Sequence, residues 1–405
     1  MKKTVFIVLY SLVSLTACAK TGGEGPGTDN KEYLPAWQEG FLDIHQISTG
    51  RGNAALVIMP DGTNLIIDCG DAATSGATEH NEVLPVLPNA SKHAAGWVQY
   101  YFRKFAPASV NSSTVDYALI THYDGDHIGS EWEPDAVTLP NYGFKLNGIT
   151  ELGYYMQIDR LINRSDVSDS RMPANYRRYI EEYRDERGLA TEVLRPGENN
   201  QIRMLHSPDT YPGFGIRNVV GSRTVWTGTG DATETLPATT DENANSCGIL
   251  VSYGPFDWLS CGDIPGTNPA TDTETAVAKA VGECDVVVAC HHGYKDSMNR
   301  EFCKSTDPQL YVVPVREYWH PCVEAVANMC DETIHSGVPQ IYCAGLLAST
   351  RATMEEAGFG KYFMKDGHVV IRVTDGGKKF QVFVLDDRSD DYGIVYSSGV
   401  FDSRD

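Results

Sequence analysis

Residues 121–130, Thr-His-Tyr-Asp-Gly-Asp-His-Ile-Gly-Ser, constrain this chain more than any other stretch. His122, Asp124, Asp126 and His127 put four ligand-capable side chains within six positions, directly behind the apolar run Tyr117, Ala118, Leu119, Ile120. An apolar run that stops abruptly at polar residues reads as a buried strand feeding a loop. A strand end is a rigid platform, and the loop behind it can curl several N and O donors around one point, which is what metal coordination needs. Gly125 and Gly129 supply the tight curvature of such a loop. An acidic surface turn holding two histidines by chance is the plainer alternative, and the paired glycines speak against it.

Other stretches have the same form. Residues 41–70 read as three strands, the last two joined by a hairpin turn at Pro60-Asp61-Gly62-Thr63 and followed by Asp68-Cys69-Gly70. Residues 202–206 read as a short strand ending at His206. Residues 245–264 read as two strands joined at Gly254-Pro255 and ending in Gly262-Asp263. Val286-Val287-Val288 leads to His291-His292-Gly293, a buried parallel strand delivering imidazoles at its end.

The His-x-Asp-x-Asp-His order resembles the first metal motif of the metallo-β-lactamase superfamily, which is usually His-x-His-x-Asp-His. The form with Asp at the second position is similar to the hydrolase domain of the ComEC competence proteins. So are the opening strand and hairpin with its Asp-x-Gly turn, the Asn245-Ser246 pair, and the late Trp319-His320-Pro321. Tyr294 stands where that family usually has Ser after His-His-Gly. The resemblance implies an α/β fold, a four-layer αββα sandwich with two sheets face to face and helices outside. It implies two divalent cations, zinc or manganese. His122, Asp124 and His206 would hold one and Asp126, His127 and His292 the other, with Asp263 between them. A carboxylate suits that place, since its two oxygens can hold cations about 3.5–4 Å apart. Asp126 and His320 are the candidate catalytic residues, His320 as an acid or a substrate contact. Asp68, His291 and Lys295 are expected to bind substrate or to stand behind the ligands. The reaction implied is phosphodiester hydrolysis by a water that the cations activate. Ester or lactone hydrolysis on the same site is the alternative, and a non-enzymatic, lipid-anchored ligand-binding protein is a third reading.

The chain begins Met1-Lys2-Lys3 followed by nearly unbroken apolar residues from Val5 to Val13, a secretory leader too short to span a bilayer. Leu15-Thr16-Ala17-Cys18 resembles a bacterial lipobox. The expected layout is a signal peptide at 1–17, a lipid-anchored flexible tether at 18–36 and one hydrolase domain at 37–405, with insertions near 72–113 and 155–200. Export, anchoring through lipid on Cys18, and transfer to the outer membrane follow from that reading, since Ala19 rather than Asp follows the cysteine.

The balance of 33 basic against 54 acidic residues gives a net charge of −21. Such a surface repels polyanions, and no stable binding of duplex DNA is expected. Nine cysteines beyond Cys18 make a complete intramolecular disulfide framework impossible, although an exported location would allow some pairs; several, Cys69, Cys261 and Cys290 among them, lie in apolar runs and read as small buried hydrophobes. Tyr176, Tyr179 and Tyr183 recur at helical spacing among charges, either as a packing stripe or as substrate contacts. His45, His80, His93, His335 and His368 have no motif around them and read as surface or structural.

Overall fold

The strands in chain order are β1 (Leu42–Gln46), β2 (Ala55–Ile58), β3 (Asn64–Ile67), β4 (Thr114–Leu119), β5 (Gln157–Asn163), β6 (Ala190–Val193), β7 (Phe214–Gly221), β8 (Thr224–Trp226), β9 (Thr233–Thr235), β10 (Gly248–Tyr253), β11 (Phe256–Ser260), β12 (Val286–Val288), β13 (Leu310–Pro314), β14 (Gln340–Ala344), β15 (His368–Thr374), β16 (Lys379–Leu385) and β17 (Ile394–Asp402). The computed structural model that gives them describes residues 31–50, 52–70, 94–107, 113–130, 137–139, 141–184 and 188–404. The leader, Cys18, most of the 72–113 segment, His80 and His93 lie outside the described residues, and residues Tyr33–Asp405 form one unit.

Two mixed sheets result. One has the order β17-β16-β15-β1-β2-β3-β4-β5-β6, the other β14-β13-β12-β11-β10-β7-β8-β9. Neighbours from β3 to β6 are parallel, and so are those from β11 to β14; the remaining pairs are antiparallel.

Alternation along the strands sets the layers, because successive side chains point to opposite faces. In β4, Tyr117 and Leu119 enter the apolar cluster between the sheets, while Ala118 and the following Ile120 enter a second cluster with Val98, Phe102, Ile149 and Leu152. Those four lie on the helices Ala94–Phe105 and Gly148–Tyr155. In β13, Leu310 and Val312 face the inter-sheet cluster. Tyr311 and Val313 face a third cluster with Val277, Phe302, Val326 and Met354, from helices on the other outer face. The layering is therefore helix, sheet, sheet, helix. Each fully buried Val, Leu or Ile contributes roughly 1.5–3 kcal/mol relative to exposure, which is why strands this short hold their register.

Some local readings change. Residues 202–206 form no strand. Ile202 and Met204 are buried in the inter-sheet cluster, but the backbone N–H groups of Leu205, His206 and Ser207 donate to Thr63 Oγ1 and Asp61 Oδ2 at 2.8–2.9 Å, on the β2–β3 hairpin turn. The 155–200 segment supplies β5 and β6, which extend the first sheet. Between them the helix Ala174–Arg178 runs on into a π-helical turn, Tyr179–Tyr183. Tyr176 and Tyr179 are buried in the outer cluster, and Arg178 pairs with Glu182, so those tyrosines are core and the charges are solvated. His45 is structural, its Nδ1 3.0 Å from the Tyr101 hydroxyl. The cysteines from 69 to 343 are buried, all but the half-buried Cys322. No described helix is long and apolar enough to cross a membrane.

Candidate metal centre

The parallel strands of both sheets end at one place. β3 leads to Asp68, β4 to His122 and the one-turn helix Gly125–Ile128 that carries Asp126 and His127, β11 to Asp263, and β12 to His291 and His292. Strand ends at this edge are where open α/β sheets place their sites.

Backbone contacts lock the metal loop. The carbonyl of Asp126 accepts from Asn53 N at 2.8 Å and that of His127 from Cys69 N at 2.8 Å. The Asp68-Cys69-Gly70 turn approaches so closely that a Cβ at Gly70 would stand 1.6 Å from Asp126 O. On the other side, Tyr123 N donates to Glu242 Oε1 at 3.0 Å, Arg164 donates to both Glu242 oxygens at 2.7 and 2.8 Å, and its guanidinium lies 4.3 Å from the Tyr123 ring. Across the cleft, His291 and His292 both have positive φ, 46° and 55°. That conformation costs of order 1–3 kcal/mol per residue and persists only where the surroundings enforce it.

Hydrogen bonds fix which imidazole nitrogens face inward. His292 Nδ1 lies 2.6 Å from Pro314 O; a carbonyl only accepts, so Nδ1 carries the proton and Nε2 is left as the donor atom for a ligand. His127 Nδ1 lies 2.7 Å from Asp68 Oδ2, and Asp68 also accepts from Asn53 Nδ2, Thr121 N and Thr121 Oγ1. His291 is held by Asp296 Oδ1, 2.7 Å from its Nδ1.

Among the described residues, Asp126, His127, Asp263 and His292 offer ligand atoms that all lie within 4.8 Å of one another, and all four are buried. Asp263 uses both oxygens: Oδ1 is 3.1 Å from His127 Nε2, and Oδ2 is 3.3 Å from His292 Nε2 and 3.7 Å from His122 Nε2. His122 Nε2 is buried with no hydrogen-bond partner among the described residues. Leaving such an atom unsatisfied costs about 1–3 kcal/mol, so its inward aim at Asp263 fits a cation. Electrostatics agree. Burial alone lowers an imidazole, yet Asp263 and Asp68 drive His127 well above its ordinary pKa, and Asp263 and Asp126 raise His292 to about 9. Burial likewise opposes the charge on Asp126 and Asp263, but hydrogen bonds and charges from the imidazoles hold both carboxyls far below their usual range. A pocket that pulls protons onto two buried imidazoles has the negative potential that a divalent cation takes up in the protons' place.

The remaining expected residues divide. Asp124 sits at the rim, half-exposed, with Oδ2 3.7 Å from His122 Nε2. His291 Nε2 is 3.9 Å from Asp263 Oδ2. His206 does not join them. It is held at the hairpin turn, at the opposite end of β3 and β4, with its Nε2 3.8 Å from Asp116 Oδ2. Lys295 is exposed, its ammonium 5.4 Å from the centre of the Tyr294 ring. His320 stacks on His292 at 5.4 Å and 12°. Burial and the neighbouring His292 and His291 push its pKa to about 2, and its Nδ1 accepts from Glu317 N, so it is a neutral Nε2–H donor and not the expected acid.

Arg316, which sequence reasoning passed over, lies with Nε 2.9 Å from Asp126 Oδ2. A signal for it existed. It is the second residue after the apolar strand β13, and Asp68, His122, Asp263 and His292 likewise fall within four residues of a strand end.

Carboxylate and imidazole donors at the strand ends of two facing sheets now stand beside the sequence pattern. Residues 47–130 match the family model of the metallo-beta-lactamase superfamily. The match covers β2 to β4, the Asp68 turn and the whole metal loop, and ends before Asp263 and His292. Among curated proteins nothing matches. Among solved structures the chain is similar to a protein of unknown function from Enterococcus faecalis V583, with 10% identity, a TM-score of 0.30, and coverage of 75% of this chain and 70% of that one. The metallo-beta-lactamase match and the buried cluster together support a metal-dependent hydrolase in general; the superfamily usually binds divalent metals, most often zinc.

Proposed function

We propose that the protein is a phosphodiesterase of ComEC-like type that works with two divalent cations, zinc or manganese. The observation that carries this reading is Asp263, one carboxylate with imidazole nitrogens at 3.1–3.7 Å on both of its oxygens. Asp126, His127 and His292 would hold one cation. His122 and Asp124 would hold the other, with Asp263 shared and His291 facing the same oxygen. Bound there, the cations would make the attacking water more acidic and stabilise the charge that develops on the phosphoryl oxygens.

The chain's own residues do the rest. Asp68 and the Pro314 carbonyl keep the protons of His127 and His292 on Nδ1, so that both Nε2 atoms face the cluster. Glu317 N orients His320, whose Nε2–H is buried without a hydrogen-bond partner among the described residues and would donate to a phosphoryl or leaving-group oxygen that reached it. The net charge of −21 disfavours long duplexes and leaves small or single-stranded diesters as the better substrates.

The test is a hydrolysis screen of metal-reconstituted protein on bis(p-nitrophenyl) phosphate, p-nitrophenyl phosphate, a lactone and a β-lactam. Diester turnover that disappears in Asp263→Ala is expected. Lactone or β-lactam turnover without any diester turnover would overturn the proposal.

A further inference from the structure

The loop that leaves β13 carries Arg316, Tyr318, Trp319 and His320, and the metal sites use none of them. Arg316 lies against Asp126, with a side chain 36% exposed. Its Nε is close to the Asp126 carboxylate without making a hydrogen bond to it, and Glu317 Oε1 lies 3.9 Å away. An arginine this exposed and this close to the cluster can present parallel N–H donors of the kind that grip a planar or tetrahedral oxyanion. Two and three residues further along the chain, Tyr318 and Trp319 are each 41% exposed and pack edge to face at 4.3 Å. Trp319 is 6.0 Å from His320, which stacks on His292.

The loop is built to hold this arrangement. His320 N donates to Glu317 O at 2.9 Å, Cys322 N to Gly293 O at 2.8 Å, and the Thr350 hydroxyl to the carbonyl of Tyr318. Exposed aromatic rings fixed by their backbone have no core to fill and lose little freedom when a flat ligand lands on them.

We propose that this loop reads the substrate: Arg316 clamps the non-bridging oxygens of the diester, and the Tyr318–Trp319 pair takes a planar ring attached to it. The substrate class is then an aryl- or nucleoside-like phosphodiester rather than an alkyl one. This rests on the phosphodiesterase reading of the same site, so binding and turnover are measured separately.

Calorimetry on the metal-loaded protein uses bis(p-nitrophenyl) phosphate and dimethyl phosphate as probes, with metal content measured for every variant. Arg316→Gln should weaken both diesters about 10–100-fold at unchanged metal content, and Arg316→Lys should fall between, since it keeps the charge and loses the fork. Trp319→Ala should weaken the aryl diester about ten-fold and leave dimethyl phosphate as it was. Loss of metal in Arg316→Gln would make Arg316 a mere support for Asp126, and equal losses on the two diesters in Trp319→Ala would reduce Trp319 to a support for His320; either overturns the proposal. Arg316-dependent binding without hydrolysis refutes the phosphodiesterase reading and spares this one. Hydrolysis indifferent to Arg316 does the reverse, and neither binding nor hydrolysis refutes both.

Discussion

Asp263 and Asp124 differ in how much of the centre depends on them. Asp263 is buried among four imidazoles, whereas the Asp124 carboxylate lies 3.7 Å from His122 and is half in water. Asp263→Ala should therefore strip most metal from both positions, and Asp124→Ala should lower occupancy of one while the other stays filled. Metal analysis after reconstitution decides, and equal losses in the two variants would mean that Asp263 is not shared. Gly70→Ala should act without touching a donor atom, since its methyl needs space that Asp126 O occupies. It should cost metal affinity at least ten-fold or, if the turn cannot shift, several kcal/mol of stability of the kind strained insertions cost. At this scale the sequence was readable wherever donors are contiguous or follow an apolar strand directly, as His122, Asp126, His127, Asp263 and His292 do. His206 was not, because its place is set by Asp61 and Thr63, some 140 positions earlier in the chain. Arg316 was overlooked because a single arginine after a strand carries no pattern of its own.

Strands that end at donors were legible because they are buried on both faces and therefore almost wholly apolar, as β4, β12 and β13 are. β6 was hidden for the opposite reason: it is an edge strand with no buried residue, and it reads as polar insertion. Residues 202–206 alternate like a strand, yet their backbone donors go to side chains instead of a neighbouring strand. One strand pair also carries a pH signature away from the metals. Where β11 starts beside the residue before β12, Asp257 N donates to Asp285 Oδ2 at 3.1 Å. Burial raises the Asp257 carboxyl to about 6; the Ser252 hydroxyl opposes this and the Asp285 charge adds to it. The folded chain thus keeps a proton that the unfolded chain releases near pH 4, so stability falls as pH climbs from about 4 to about 6 and the deficit persists above. Asp257→Asn should remove the deficit. Thermal unfolding should show the variant more stable by about 1–3 kcal/mol at pH 8, with the difference fading at pH 4. An equal difference at both values would refute the assignment.

For the molecule as a whole, the lipobox-like Leu15-Thr16-Ala17-Cys18 predicts that Cys18→Ala releases the protein from the membrane pellet or leaves its leader uncleaved; wild type that is already soluble and carries no lipid by mass would end that reading. The two-sheet layering was legible only through the resemblance that the motifs carry, while the pairing of β15 with β1 was not, because it joins the two ends of the chain. The donors come in two batches, Asp68 to His127 from the first sheet and Asp263 to His292 from the second. A cation gripped by both batches adds a clasp between the sheets to the apolar packing and hydrogen bonds, such as Cys247 N to Thr121 O, that already join them, so loading should raise the melting temperature by roughly 5 °C, and a chelator should take that back. The clasp also has a direction in time. Until some 290 residues have emerged and folded, a growing chain has half a grip on any ion, so it would take its metal from what the compartment of its final folding supplies.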